Sequence, residues 1–319
     1  YATSSSITSS YATGSVSGTD DVGGLMGFGN NSTSITSSYA TGSVSGANSV
    51  GGLLGFVNAS SVTSSYATGS VSGLDYVGGL VGEAYSTTST SSFWDTETTG
   101  QSASAGGTGK NSAELRTETT YTDADWDFSN TWFMIEGETR PFLRSEYSTT
   151  ITNAHQLQLM AMDLTADYTI ANDIDMTAAL AETGTDLYAG MWSASGFDPI
   201  GNNTTKFTGT LDGLGHVISG LTITRPTENY VGLFGATNGA TLNNIGLNGG
   251  SVSGTYRVGG LVGRAISSSI SSSYATGSVS GVDHVGGLLG LADDSTSITS
   301  SYATGSVSGT GFLVGGLVG

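Results

Sequence analysis

One stretch repeats with little change along this chain, and that constrains the fold more than any other feature. Residues 11–27 read YATGSVSGTDDVGGLMG. The first half returns unchanged at Tyr39, Tyr66, Tyr274 and Tyr302, and the second returns as VGGLLG or VGGLVG at Val50, Val77, Val258, Val285 and Val314. A looser VGLFG begins at Val231. Cut after the last glycine of each motif, the units span residues 1–27, 28–55, 56–82, 236–263, 264–290 and 291–319, with lengths of 27, 28, 27, 28, 27 and 29. Length varies mostly in polar links such as GTDD, GANS, GLDY and GTGF. Repeats of this kind stack as like units, each too small to bury a core alone.

Within a unit, three pieces read as strands: SITSSYAT, GSVSG and VGGLxG. β-Branched residues broken by glycine favour strands, and no helical period of apolar residues is present. The LxxLxLxxN pattern of leucine-rich repeats is absent. The chain is therefore expected to be all-β, a parallel β-helix (β-solenoid) with 27–29-residue coils, right-handed by analogy with the commoner form. Each coil rises about 4.8 Å, the spacing of hydrogen-bonded strands. Stacking places Ile35 over Ile7 and Val50 over Val22. Val16, Val44 and Val71 point inward with Val22, Val50 and Val77, and the adjacent glycines supply corners or close packing. Tyr11, Tyr39, Tyr66, Tyr274 and Tyr302 form a column, either stacked outside or partly buried.

Three segments follow from the pattern. Residues 1–82 are regular coils. Residues 83–147 lose the period and are irregular and aromatic-rich, with Trp94, Trp126 and Trp132 to cover a solenoid end or pack a satellite core. Residues 148–319 form a second solenoid block, with irregular opening coils over 148–235 and regular coils over 236–319. A flexible loop is expected at GQSASAGGTG from Gly100, a short helical turn at SAELR from Ser112, and a capped short helix after Thr152 or Asn153. A long polar loop is expected over residues 183–197.

Composition removes several functions. With 26 acidic against 8 basic residues, a net charge of −18, the chain has no basic stripe for nucleic acid and would be repelled by anionic membranes. Cysteine is absent, so disulfides, thiolate zinc sites and thiol catalysis are excluded. No apolar run reaches the roughly 18 residues of a membrane helix. Only 3 prolines rule out collagen, and a hydrophobic content of 37% disfavours plain disorder.

The repeat YATGxVxG…VGGLVG resembles the GLUG-motif family of bacterial surface proteins. SFWDTETTGQ at Ser92 and WDFSNTWFMIEGETRPFL at Trp126 look like the segment that closes a GLUG block. ITNAHQLQLM at Ile151, NDIDM at Asn172, FDPIGN at Phe197 and FTGTLDGLGHVISGLTI at Phe207 look like the segment that opens one. Such segments occur in large adhesins of the filamentous-haemagglutinin kind and beside the peptidase domains of IgA-cleaving enzymes. The resemblance implies a β-helical stalk, secreted and displayed on a bacterial cell surface.

Chemistry is sparse. No HExxH occurs, and His155, His216 and His284 stand in separate contexts. The best metal candidate is Asp123-x-Asp125-x-Asp127, alternating carboxylates like the start of a calcium loop. Phe128 and Met134 stand where such a loop needs Gly and Glu, so calcium is a weak expectation and no other cofactor is expected. Asp20, Asp21, Asp75, Asp293 and Asp294 sit in links, where stacked carboxylates would share a cation or stay solvated. β-Helices also host carbohydrate-cleaving enzymes that use paired acids, but no acid pair stands out by spacing. Ser/Thr ladders such as ITSSYAT offer a regular polar face. Asn30, Asn31, Asn58, Asn202 and Asn203 begin sequons that chance explains in so Ser/Thr-rich a chain.

Tyr1 stands where Arg264 stands after Gly263, so the chain opens and closes in register with its own repeat, as a segment of a longer polypeptide or as copies stacked head to tail. The expected function is non-enzymatic: an extracellular structural stalk or fibre segment of an adhesin-like protein at the bacterial cell surface. Its expected partners are copies or flanking repeats end to end, and host-surface or extracellular-matrix glycans. No nucleic acid is expected among them, and this segment is not expected to insert in a membrane. The alternative is a carbohydrate-binding or carbohydrate-cleaving β-helix.

Overall fold

Five short parallel strands per coil build the first part of the chain, and their residues recur at one register. The computed structural model describes residues 1–180 and 190–319. These fall into two compact units, one of residues 1–145 with 190–193 and one of residues 146–180 with 194–319. Among the described residues of both units, the principal architecture is a parallel β-solenoid.

In the first unit, Ser6–Thr8, Ser34–Thr36, Ser61–Thr63 and Thr88–Thr90 form one sheet. Ile7 pairs with Ile35, and Ile35 with Val62. On another sheet Val22 pairs with Val50, and Val50 with Val77. The expected columns are therefore present. Ile35, Leu53, Leu54, Val57, Val62 and Leu80 form a dry core, and Val22, Val44, Val50 and Val71 form a second one. A single coil contributes only a few of these side chains, so burial accumulates through stacking.

The strand-like piece SITSSYAT is two strands rather than one, and the reason is local. Ser9, Ser37 and Ser64 adopt left-handed backbone angles, with φ of 46°, 48° and 47°, and turn the chain between SIT and YA. The corners expected of glycine are thus made largely by serine and other non-glycine residues. The next serine in each coil compensates. Ser38 Oγ accepts from the Ser10 amide and donates to the Thr36 carbonyl, at 3.2 and 2.9 Å. Ser65 and Ser92 repeat the arrangement one and two coils on. Buried polar groups at the corner are thereby satisfied.

The VGG glycines serve close packing. A Cβ on Gly52 would run into the Gly79 carbonyl and the Ala67 methyl, and one on Gly79 would run into the Trp94 ring. Trp94 lies in the core cluster and its Nε1 donates to the Gln101 carbonyl at 2.9 Å. The stretch from Gly100 is consequently ordered. Ser104 Oγ accepts from the amides of Leu80 and Val81, and the Gly79 amide donates to Ala103. The flexible loop expected there is instead a cover over the last coil, because those amides would otherwise be unpaired. SAELR contains the short helical turn, at Glu114–Arg116, and a second helix follows at Glu118–Thr122.

In the second unit, the irregular opening includes the helix Ala154–Leu159, capped by Asn153, whose side chain accepts from the Gln156 amide at 3.0 Å. Thr150–Ile151, Asp167–Ile170, Thr210–Asp212, Thr241–Asn243, Ser269–Ser271 and Ser297–Thr299 then form a six-stranded sheet. Residues 183–189 of the polar loop expected over 183–197 lie outside the described residues.

Candidate functional surface

Tyrosines recur at one place on five of the six regular coils, Gly246 taking that place in the coil 236–263, and their environment differs between the units. In the first unit Tyr11, Tyr39 and Tyr66 stack with ring centroids 5.2 and 5.0 Å apart. Tyr39 and Tyr66 are fully buried, whereas Tyr11 is exposed. Burial comes from the aromatic-rich segment: Trp132 lies 6.3 Å from the Tyr39 ring, and Trp126 and Trp132 lie 6.2 and 6.1 Å from Tyr66. Phe93 and Tyr121 extend the cluster. Tyr66 Oη donates to the Pro141 carbonyl at 2.8 Å. In the second unit Tyr274 and Tyr302 stack at 5.1 Å, and Tyr302 is 52% exposed.

A buried ion pair locks the aromatic segment. Asp95 and Arg140 are both fully buried and bonded to each other. Burial acts to raise the Asp95 carboxyl, but the Arg140 guanidinium and the Ser112 hydroxyl outweigh it, so its pKa lies below the usual carboxylate value. Asp95 also accepts from the Thr98 amide at 3.2 Å, and Ser112 donates to it at 2.7 Å. Removal of water makes this a structural pair that is costly to break. Asp95 and Arg140 are 45 residues apart, and no spacing rule in the sequence singles them out.

The calcium candidates have other roles or remain apart. The Asp127 carboxylate accepts from the amides of Ser129 and Asn130 and from the Asn130 side chain at 2.9, 3.0 and 3.0 Å. These bonds hold it below the usual carboxylate pKa. Asp123 ends the helix Glu118–Thr122 and Asp125 is a left-handed turn residue. Among the described residues, no group of three or more His, Asp or Glu side chains is placed to hold a metal ion.

Link acids are separated or paired with donors. Asn48 lies in register between Asp20 and Asp75 and donates to Asp20 at 2.7 Å. Asp293 bonds Arg264 at 2.6 Å. Asp21 is the exception: partial burial, then Asp20 and Glu83, raise its pKa, while Ser49 opposes them. The three histidines stay apart. His155 pairs with Glu146 at 2.6 Å, His216 with Asp173 at 3.2 Å, and His284 lies 3.9 Å from Asp283.

This fold and surface define a β-solenoid repeat protein built from stacked coils of one recurring sequence. The coils carry the GLUG motif: residues 254–280 and 281–308 match its family model. Over 100 residues, 30% of this chain, the sequence is 41% identical to halomucin of Haloquadratum walsbyi. Over 68 residues, 21% of this chain, it is 40% identical to a Gly-rich membrane protein of Evansella cellulosilytica. The matched part of this chain spans 1% of the first relative and 7% of the second. No solved structure matches.

Proposed function

We propose that this chain is a non-enzymatic structural segment of a cell-surface protein, an extracellular stalk of the adhesin kind. The observation that carries the reading is the in-register stacking of near-identical coils around dry apolar columns within each unit, as in Ile7, Ile35 and Val62. Parallel ladders of this kind resist bending and stretching because every coil is hydrogen-bonded to its neighbours along several sheets at once. A net charge of −18 favours the solubility of such coils. Likeness to a halomucin and to a membrane protein supports placement at the cell surface. Coils of this one recurring sequence pair in register with each other, as Val22 does with Val50 and Val50 with Val77, so like repeats are the fitting neighbours, whether from the same polypeptide or from another copy.

Antibodies against the purified chain, applied to unpermeabilised cells and imaged by electron microscopy, test this reading. Label on thin projections outside the cell is the expected result. Label found only after permeabilisation, or on globular particles alone, would overturn it.

A further inference from the structure

Every coil that carries VGGLxG, and the looser VGLFG coil at Val231, turns at a left-handed residue, of varying side chain, just before its Val-Gly pair. In the first unit these are Asp21, Ser49 and Tyr76, with φ of 51°, 48° and 51°. In the second they are Tyr230, Arg257, His284 and Leu313, with φ of 64°, 61°, 55° and 58°. The VGGLxG that follows hardly changes, yet no side chain at this corner occurs in more than two coils. The fold therefore does not select it, and its identity is free to serve recognition.

Three of these side chains have complementary chemistry. Val231 pairs with Val258 and Val258 with Val285, so Tyr230, Arg257 and His284 stand on successive coils. The Arg257 guanidinium carbon lies 5.0 Å from the Tyr230 ring centroid. Arg257 Nε and His284 Nδ1 are both out of contact with water and have no hydrogen-bond partner. Among the described residues, Arg257 is the one arginine whose guanidinium makes neither a hydrogen bond nor an ion pair. Arg144 and Lys206 likewise lack a carboxylate but bond backbone carbonyls, whereas Arg257 has neither kind of partner. The neighbouring acids do not supply one: Glu228 pairs with Arg225, and Asp283 lies beside His284.

We propose that the Tyr230–Arg257–His284 corner binds an acidic saccharide through its carboxylate or sulfate group. A guanidinium offers a planar fork of donors matched to such oxyanions. The Tyr230 ring pre-orients it, and Tyr256, which precedes Arg257 on the strand Tyr256–Gly259 and is 41% exposed, offers a flat apolar face for the sugar ring. The proposal is independent of the stalk reading.

Calorimetric titration of the intact chain tests it with three tetrasaccharides: a glucuronate-containing unsulfated one, a sulfated one and a neutral one. At least one acidic sugar is expected to bind and the neutral one not. Binding of only the carboxylated or only the sulfated sugar identifies the anionic group. Arg257→Ser is expected to weaken binding at least about tenfold, and Tyr230→Leu to weaken it as well. Both variants should fold, because Ser49 and Leu313 occupy the same corner in other coils. No binding of either acidic sugar, equal binding of the neutral one, or unchanged binding by Arg257→Ser at an unchanged melting temperature would overturn the proposal.

Discussion

The Tyr66 hydroxyl donates to the carbonyl of Pro141, 75 residues away, at 2.8 Å. This bond fastens a recurring coil residue to a segment that does not recur. Tyr66→Phe should keep the ring stack and lose the bond, lowering stability by about 1 kcal/mol. Trp132→Ala removes a fully buried ring that touches both Tyr39 and Tyr66, and should cost about 3–5 kcal/mol. Denaturant unfolding followed by tryptophan emission measures both. Equal effects would show that the ring cluster contributes nothing beyond the hydroxyl.

Glycines of the same repeat should differ sharply in tolerance. Gly52→Ala drives a methyl into the Gly79 carbonyl and Ala67, whereas a Cβ on Gly14 meets nothing within 4 Å. The first substitution should destabilise by about 1–3 kcal/mol or more, and the second should stay within about 0.5 kcal/mol. Thermal melts by circular dichroism compare them directly.

Acid should loosen the first unit through Asp95. Its pKa in the folded chain lies below the 3.8 of a free aspartate side chain. Its contribution to stability is therefore present above that unfolded value and fades as pH falls through the folded one. Asp95→Asn should cost about 3–5 kcal/mol at neutral pH by stranding the buried Arg140, and should flatten the acid limb of the stability curve. Asp21 has the opposite sign, with its pKa raised by partial burial, Asp20 and Glu83. Its favourable contribution is present below the unfolded value and lost as pH rises through the folded one. Asp21→Ser, which copies Ser49, should thus raise the melting temperature at pH 7, by less in high salt. A fall at low salt would refute that sign.

Calcium should leave the melting temperature unchanged. Asp127 is already engaged by the Ser129 and Asn130 amides and the Asn130 side chain, and the three candidate aspartates belong to no metal-holding group among the described residues. Scans in calcium and in chelator should superimpose. A rise of several degrees with calcium would restore Asp123, Asp125 and Asp127 as a site.

The coil length and the pairing of Ile35 with Ile7 and Val50 with Val22 were readable from the sequence, because a repeat that faithful leaves one register that keeps apolar columns continuous. The corners were not. Serine at Ser9 or Ser37 carries no signal for a left-handed backbone, which propensity assigns to glycine or asparagine. The fate of the tyrosines was equally hidden. Tyr11, Tyr39, Tyr66, Tyr274 and Tyr302 lie in the same local sequence, and only distant packing by Trp126 and Trp132 buries two of them. The Arg257 corner escaped because a corner residue announces nothing until the bonds around it are known. Asp123, Asp125 and Asp127 were conspicuous by spacing alone, and spacing does not reveal that Asp127 is already occupied by a turn.

The serine corners also have a direction. The Ser10 amide is satisfied by Ser38 of the following coil, the Ser38 amide by Ser65, and the Ser65 amide by Ser92. The same order holds where Ile245 donates to Ser273 and Ser273 to Ser301. Each coil thus completes the one before it and leaves its own amide waiting for the next. A chain emerging from the ribosome N-terminus first therefore exposes each of these serine-corner amides before the hydroxyl that satisfies it has been made.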